Sequence, residues 1–267
     1  EEMYRAKGRI YHTAWTEAGD EYFLWEYDRK RRWRSTWRID ATGRDREPRL
    51  MFDLSLNQRY EDPGSPIQVS DGRGGRHLLV EENSMFLVGR GATPAGDRPF
   101  LRKMSLDTAE TVELFRSGDD ELEQFYCFER KQTHRIVTQF ESSRVPANYR
   151  VRDVNDGIVR ELTAIEDPAP ELTQVGQQLL MYERKDGVPL SGKLYLPADY
   201  APPTRLPLVI SAYPEEHVEA DTAGQVRGSA NRFARFAGTS ARFFVTQGYA
   251  VLDDARIPIV GDPDEVN

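Results

Sequence analysis

Acyl transfer by a serine needs a strained turn that exposes the hydroxyl, and an α/β-hydrolase builds that turn as G-x-S-x-G, with Asp and then His following in the chain. No G-x-S-x-G occurs in these 267 residues. The nearest imitation, Gly238-Thr239-Ser240-Ala241-Arg242, lacks the second glycine and follows no buried strand. Thr239 or Ser240 reads better as the cap of a short helix. Glu215, Glu216, His217, Glu219 and Asp221 crowd metal-ligating residue types together. There is no HExxH pair and a loop does not fix ligand geometry, so a solvated acidic loop is the expectation. Arg29-Lys30-Arg31-Arg32-Trp33-Arg34 mixes cations and an aromatic as nucleic-acid binders do. Glu26 and Asp28 adjoin it, and the alternation fits a hairpin whose arginines face solvent. His12, His77 and His134 fall inside strand patterns and are read as structural.

The elements that would position any such chemistry are clearest in Leu179 to Pro214. Leu180, Tyr182 and Arg184 alternate with Met181 and Glu183 before Asp186-Gly187, a pair that suits a tight turn because glycine tolerates positive φ. Leu190, Gly192, Leu194 and Leu196 alternate again, so an antiparallel pair with one buried face is predicted. Beyond Pro202, Pro203 and Pro207, the continuous apolar run Leu208-Val209-Ile210 is expected to be a central strand covered on both faces. A helix ending at Gln247 with Gly248 as its stop, then the apolar run Tyr249–Leu252, predicts a second strand reached by a crossover, as in an α/β sheet.

Upstream, Arg9 to about Leu172 is a succession of short alternating runs: Arg9–Trp15, Tyr22–Tyr27, Trp33–Ile39, Arg49–Leu54, His77–Glu81, Met85–Gly89, Phe100–Ser105, Thr111–Arg116, Glu123–Glu129, Arg135–Glu141, Asn148–Asp153 and Ile158–Leu162. Turn clusters such as Asp71-Gly72, Ser117-Gly118-Asp119 and Asn155-Asp156-Gly157 separate them. Even spacing without a long helix means a β-sandwich or a propeller, and periodicity alone does not choose. Asp167-Pro168-Ala169-Pro170-Glu171 forms a stiff exit and marks the expected domain boundary. The balance of 39% hydrophobic and 30% charged residues describes a globular chain. A net charge of −8 argues against a nucleic-acid partner. The lone Cys127 excludes a disulfide framework within the chain, and no apolar run approaches the roughly 20 residues that span a bilayer, so no membrane partner is expected.

In order and spacing, KDGVPLSGKLYLPADY, PLVISAYP, AGQVRGSANRF and TQGYAVLDDARIPIVGD together resemble the start of the catalytic domain of the prolyl oligopeptidase family of serine peptidases, in its glutamyl endopeptidase branch. The resemblance implies a partial β-propeller of C-terminal blades over residues 1–172, followed by the N-terminal part of an α/β-hydrolase domain over 173–267. It implies an acyl-enzyme peptidase acting on peptides or flexible segments, with cleavage after Glu as the property of the branch. It also implies that Tyr213 offers its hydroxyl to the oxyanion, against the alternative of an aromatic that only packs at a sheet edge. Glycines often follow that tyrosine in other branches; here Pro214-Glu215-Glu216 does. A glutamyl-selective enzyme needs a cation for the side-chain carboxylate. Arg227 and Arg232 are the candidates, although arginines flanking a sheet often serve structural ion pairs, as Arg235 also could. No metal or organic cofactor is implied.

Because the elbow, Asp and His are missing, the chain is expected to be a fragment beginning in mid-propeller, inactive alone, with the remainder of the hydrolase domain as its partner. EEMYRAKGRIYH has no signal-peptide core, but an absent native N-terminus leaves the compartment, cytoplasmic or periplasmic and secreted, unresolved. A non-catalytic propeller binding module and an esterase on the same fold are the competing readings. A fluorophosphonate probe separates the first from a peptidase, and the relative turnover of aryl esters and peptide amides separates the second.

Overall fold

The computed structural model describes residues 2, 4–43, 47–129, 132–262 and 265. Alternating sequence becomes antiparallel meander in the first part of the chain. Strands β1 (Arg9–Trp15), β2 (Glu21–Asp28), β3 (Trp33–Asp40) and β4 (Arg49–Ser55) form one sheet in sequence order. Next come β5 (Ser65–Pro66), β6 (Gln68–Ser70), β7 (Arg76–Leu78), β8 (Val80–Glu81), β9 (Ser84–Gly89), β10 (Ala92–Thr93), β11 (Gly96–Asp97), β12 (Phe100–Ser105) and β13 (Thr111–Arg116). Of these, β13, β12, β9 and β5 lie side by side with β8 also on β9, while β6–β7 and β10–β11 are separate two-stranded ribbons. A third meander contains β14 (Leu122–Glu129), β15 (Gln132–Glu141), β16 (Asn148–Asp153) and β17 (Val159–Glu161).

Strand β9 shows why these sheets stack. Successive side chains on a strand point to opposite faces. Met85 and Leu87 accordingly join Ala14, Phe23, Trp25, Leu78 and Met104 in one core, while Phe86 joins Leu101, Phe115 and Ile136 in the next. A strand apolar on both faces thus sits between its neighbours, and each fully buried Phe or Leu stabilises the stack by about 1.5–3 kcal/mol. No closed ring of sheets is formed among the described residues.

After the one-turn helix α1 (Pro170–Thr173) the architecture changes. Strands β18 (Gly176–Glu183) and β19 (Pro189–Leu196) pair antiparallel around a turn in which Gly187 adopts φ 86° and Gly187 N–H donates to the Arg184 carbonyl. Strand β20 (Leu208–His217) is followed by the one-turn helix α2 (Ala220–Ala223) and then by a 3-10 helix at Ala241–Gln247. Ser240 caps the latter by accepting the Arg242 N–H, and Gly248 ends it at φ 82°. Strand β21 (Ala250–Val260) then returns parallel to β20, giving a sheet ordered β18-β19-β21-β20.

Three expectations need correction. Among the described residues the run Leu208–Ile210 is not covered on both sides: β20 is the edge of the described sheet, leaving Leu208 52% and Ile210 59% exposed. Glu215, Glu216 and His217 are not a solvated loop, because pairing with Pro258, Ile259 and Val260 extends β20 through them. The basic hairpin does not hold all its arginines in solvent either: Arg32 pairs with Glu216, and Arg34 with Asp62 at 3.4 Å. Among the described residues, no helix is long and apolar enough to cross a membrane.

Candidate active site

The parallel pair β20–β21 carries the candidate chemistry on one face. A bulge interrupts the pair, since Ser211 alone stands opposite Asp253 and Asp254 between the partners Ile210–Leu252 and Ala212–Ala255. Asp254 takes the left-handed conformation, φ 55°, that such an extra residue requires. Beyond the bulge, Tyr213 lies in register with Arg256. Side chains of paired parallel residues share a face, and alternate residues do so along a strand, so Tyr213, Glu215, His217 and Arg256 stand on the same side. Tyr213 is 79% exposed, and its hydroxyl makes no hydrogen bond among the described residues. Its ring is therefore not packed into a core.

Next to it, Glu215 is gripped by two guanidiniums from different elements. Arg227 Nη1 lies 2.8 Å from the carboxylate and donates to Oε1, and Arg256 Nη1 lies 2.5 Å from Oε1. Burial would raise the Glu215 pKa, but Arg227 and Arg256 outweigh it and hold the carboxyl below its ordinary value. Arg256 also meets Asp254 Oδ1 at 3.5 Å. His217 is only 2% exposed, with Nε2 3.8 Å from Glu215 Oε2 and Nδ1 without a hydrogen-bond partner. Burial first, and then the charge of Arg227, push its pKa down, which disfavours the protonated imidazole.

The segment after β20 is fastened to the antiparallel sheets. Gln225 Oε1 accepts from Arg59 N–H at 2.6 Å, the Tyr60 hydroxyl accepts from Val226 N–H at 2.8 Å, and the Gly228 carbonyl accepts from Asp97 N–H at 2.8 Å. Asn231 Nδ2 donates to the Asp119 carbonyl at 2.6 Å, and Arg235 meets Glu141 at 3.3 Å. These bonds fix where Arg227 stands. The structure brings Arg227 to the Tyr213 face but not Arg232, whose exposed side chain neighbours Lys193 and Tyr195 and whose carbonyl accepts from Gln177 Nε2 at 2.6 Å. Ser240, the imitation nucleophile, is occupied as a helix cap. Sequence reasoning missed Arg256 and dismissed His217. The available signal for Arg256 was a cation inside the otherwise apolar Ala255–Val260 run, where a buried charge demands a partner.

Comparison with solved structures gives the fold. The Porphyromonas gingivalis dipeptidyl peptidase 4 structure matches 96% of this chain and 40% of its own length, with a TM-score of 0.51 and 13% identity. A prolyl endopeptidase structure matches 91% of this chain and 37% of its own, again at TM-score 0.51 and 13% identity. The fold is that of the corresponding part of prolyl oligopeptidase-type peptidases. Sequence narrows it: the chain is 33% identical over 260 residues to a probable chloroplastic glutamyl endopeptidase of Oryza sativa subsp. japonica, and 33% identical over 261 residues to the Arabidopsis thaliana protein of the same name. By sequence the chain is thus similar to proteins named glutamyl endopeptidase, and by fold to prolyl oligopeptidase-type peptidases. Both alignments cover 91% of this chain, which spans 27% of the length of those relatives. No family model matches the chain.

Proposed function

We propose that this chain is part of a serine peptidase that cleaves peptides or flexible segments through an acyl-enzyme, with a preference for bonds after glutamate. The observation that carries the proposal is the 33% identity, sustained over 91% of the chain, to proteins named glutamyl endopeptidase. On this reading the three antiparallel meanders are blades of a propeller, within residues 1–172, and the mixed sheet opens an α/β-hydrolase domain at 173–267. Tyr213 is the oxyanion donor. Its exposed side chain stands just past the bulge in β20, in register with Arg256 and on the face that also carries Glu215. A donor aimed at the charge that develops on a tetrahedral intermediate lowers the barrier because it strengthens in the transition state. The 267 residues contain no G-x-S-x-G. The nucleophile and its Asp and His partners are therefore assigned to polypeptide outside them, and this chain alone is expected to be inert.

The test uses the longer protein that contains this chain. Fluorophosphonate labelling followed by peptide mapping is expected to mark one serine outside residues 1–267. Mass spectrometry of a digested peptide library is expected to show new C-termini at Glu. An unlabelled protein, or a label on residues 1–267, contradicts the proposal, and new C-termini spread evenly over residue types contradict the glutamyl preference.

A further inference from the structure

Resting on the reading above that this face meets peptide, we propose that Arg227 and Arg256 form a carboxylate clamp that the chain fills with its own Glu215, and that an acidic side chain of a bound peptide enters by displacing it. Three observations carry the proposal. The two guanidiniums converge on one carboxylate from a loop and from β21, with Arg227 anchored by the fastened segment and Arg256 by Asp254. The occupant is a poor fit: Glu215 Oε2 lies in a buried position without a well-directed hydrogen bond, although Arg227 stands 2.8 Å from it. Finally, the Glu215 side chain keeps 32% of its surface exposed, so a competitor can approach and the released carboxylate has water to enter.

The position suits a substrate side chain. Glu215 is two residues from Tyr213 on the same strand face, a spacing of roughly 6.6–6.8 Å that a glutamyl side chain and an arginine together span. Exchange of one carboxylate for another leaves both arginines paired at the start and at the end, which avoids the cost of stranding a half-buried cation. A neutral glutamine can accept hydrogen bonds but carries no charge with which to compete against Glu215. The resident carboxylate therefore acts against neutral side chains, and specificity is obtained partly by exclusion.

The experiment uses the 267-residue chain, which contains no G-x-S-x-G and is expected to be inert, with N-acetyl-glutamate methylamide and N-acetyl-glutamine methylamide as probes. Binding is followed by amide chemical shifts in native protein, in Glu215→Gln and in Glu215→Gln/Arg256→Gln. Glu215→Gln is expected to bind the glutamate probe at least ~10-fold tighter than native protein, as a charge-assisted site newly vacated should. The glutamine probe is expected to gain nothing, and the double variant to lose the gain. Glu215→Asp, which keeps the charge but shortens the reach, is expected to fall between and serves if Glu215→Gln does not fold. No gain in either variant, or an equal gain for both probes, overturns the clamp. In the longer protein, undiminished preference for Glu over Gln in Arg256→Gln also overturns it while leaving the peptidase reading intact. An inert longer protein whose Glu215→Gln chain gains affinity for the glutamate probe upholds the clamp and removes the peptidase.

Discussion

Glu123 and Glu215 are each held by two arginines, one in the third meander and one in the mixed sheet, and their surroundings differ. Glu123 is 0% exposed; Arg150 Nε and Arg152 Nη2 each donate to it at 2.9 Å, and the Thr138 hydroxyl also donates. Burial alone would raise its pKa, but Arg150, Arg152 and Thr138 outweigh burial and bring it to about 2. Glu215 keeps part of its surface in water and leaves one oxygen poorly bonded. A sealed, fully bonded carboxylate is tied to the fold, because removing it strands cations in the interior. An open and imperfectly bonded one can be exchanged. The same residue types thus read as structure in one region and as a binding site in the other.

The largest effect that could break this contrast is expected at Glu123. Glu123→Gln should lower unfolding free energy by about 3–5 kcal/mol, the cost of breaking a buried pair, in urea melts of the chain. A loss below about 1 kcal/mol would place Glu123 with the exposed pairs. Acid sharpens the contrast: the depressed folded-state pKa means Glu123 stabilises above its unfolded value, and that contribution is lost as pH falls toward about 2.

His217 works in the opposite sense from a surface histidine. Its folded-state pKa lies below the ordinary 6.5, so the unfolded chain binds the extra proton and stability falls as pH drops through about 6.5. The charged groups facing it are Glu215, Arg227, Arg256 and Arg32. Melts across this range should show a slope of at most about 1.4 kcal/mol per pH unit that His217→Gln removes. A slope unchanged in that variant would assign it elsewhere. A smaller effect is expected at Glu215: Glu215→Gln should cost less in the same melts than Glu123→Gln, because its side chain is 32% exposed against 0%. A cost equal to that of Glu123→Gln would erase the distinction.

Much of this was legible in sequence because local rules decided it. The Asp186-Gly187 turn, the Ser240 cap, the Gly248 stop and the short apolar runs of β2 and β9 all depend on neighbours within a few positions. Whether Leu208–Ile210 is central or at an edge depends on what lies beside it, which an apolar run does not encode. Glu215-Glu216-His217 has little strand propensity, and pairing with β21 overrides that preference. Arg256 became a candidate only when the register placed it beside Tyr213 and the fastened loop brought Arg227 across. Tyr213 is marked in the sequence by resemblance and not by spacing, and its exposure agrees with an outward-facing side chain.

The most direct measurement is therefore Tyr213→Phe in the longer protein, which removes a hydroxyl and keeps nearly all the ring. The kcat/KM for a peptide amide is expected to fall roughly 10- to 1,000-fold, with an activated ester affected less, as loss of an oxyanion donor requires. Melting should change by less than about 1 kcal/mol, since among the described residues the hydroxyl has no partner to lose. Unchanged amide turnover by a correctly folded Tyr213→Phe protein would contradict the account.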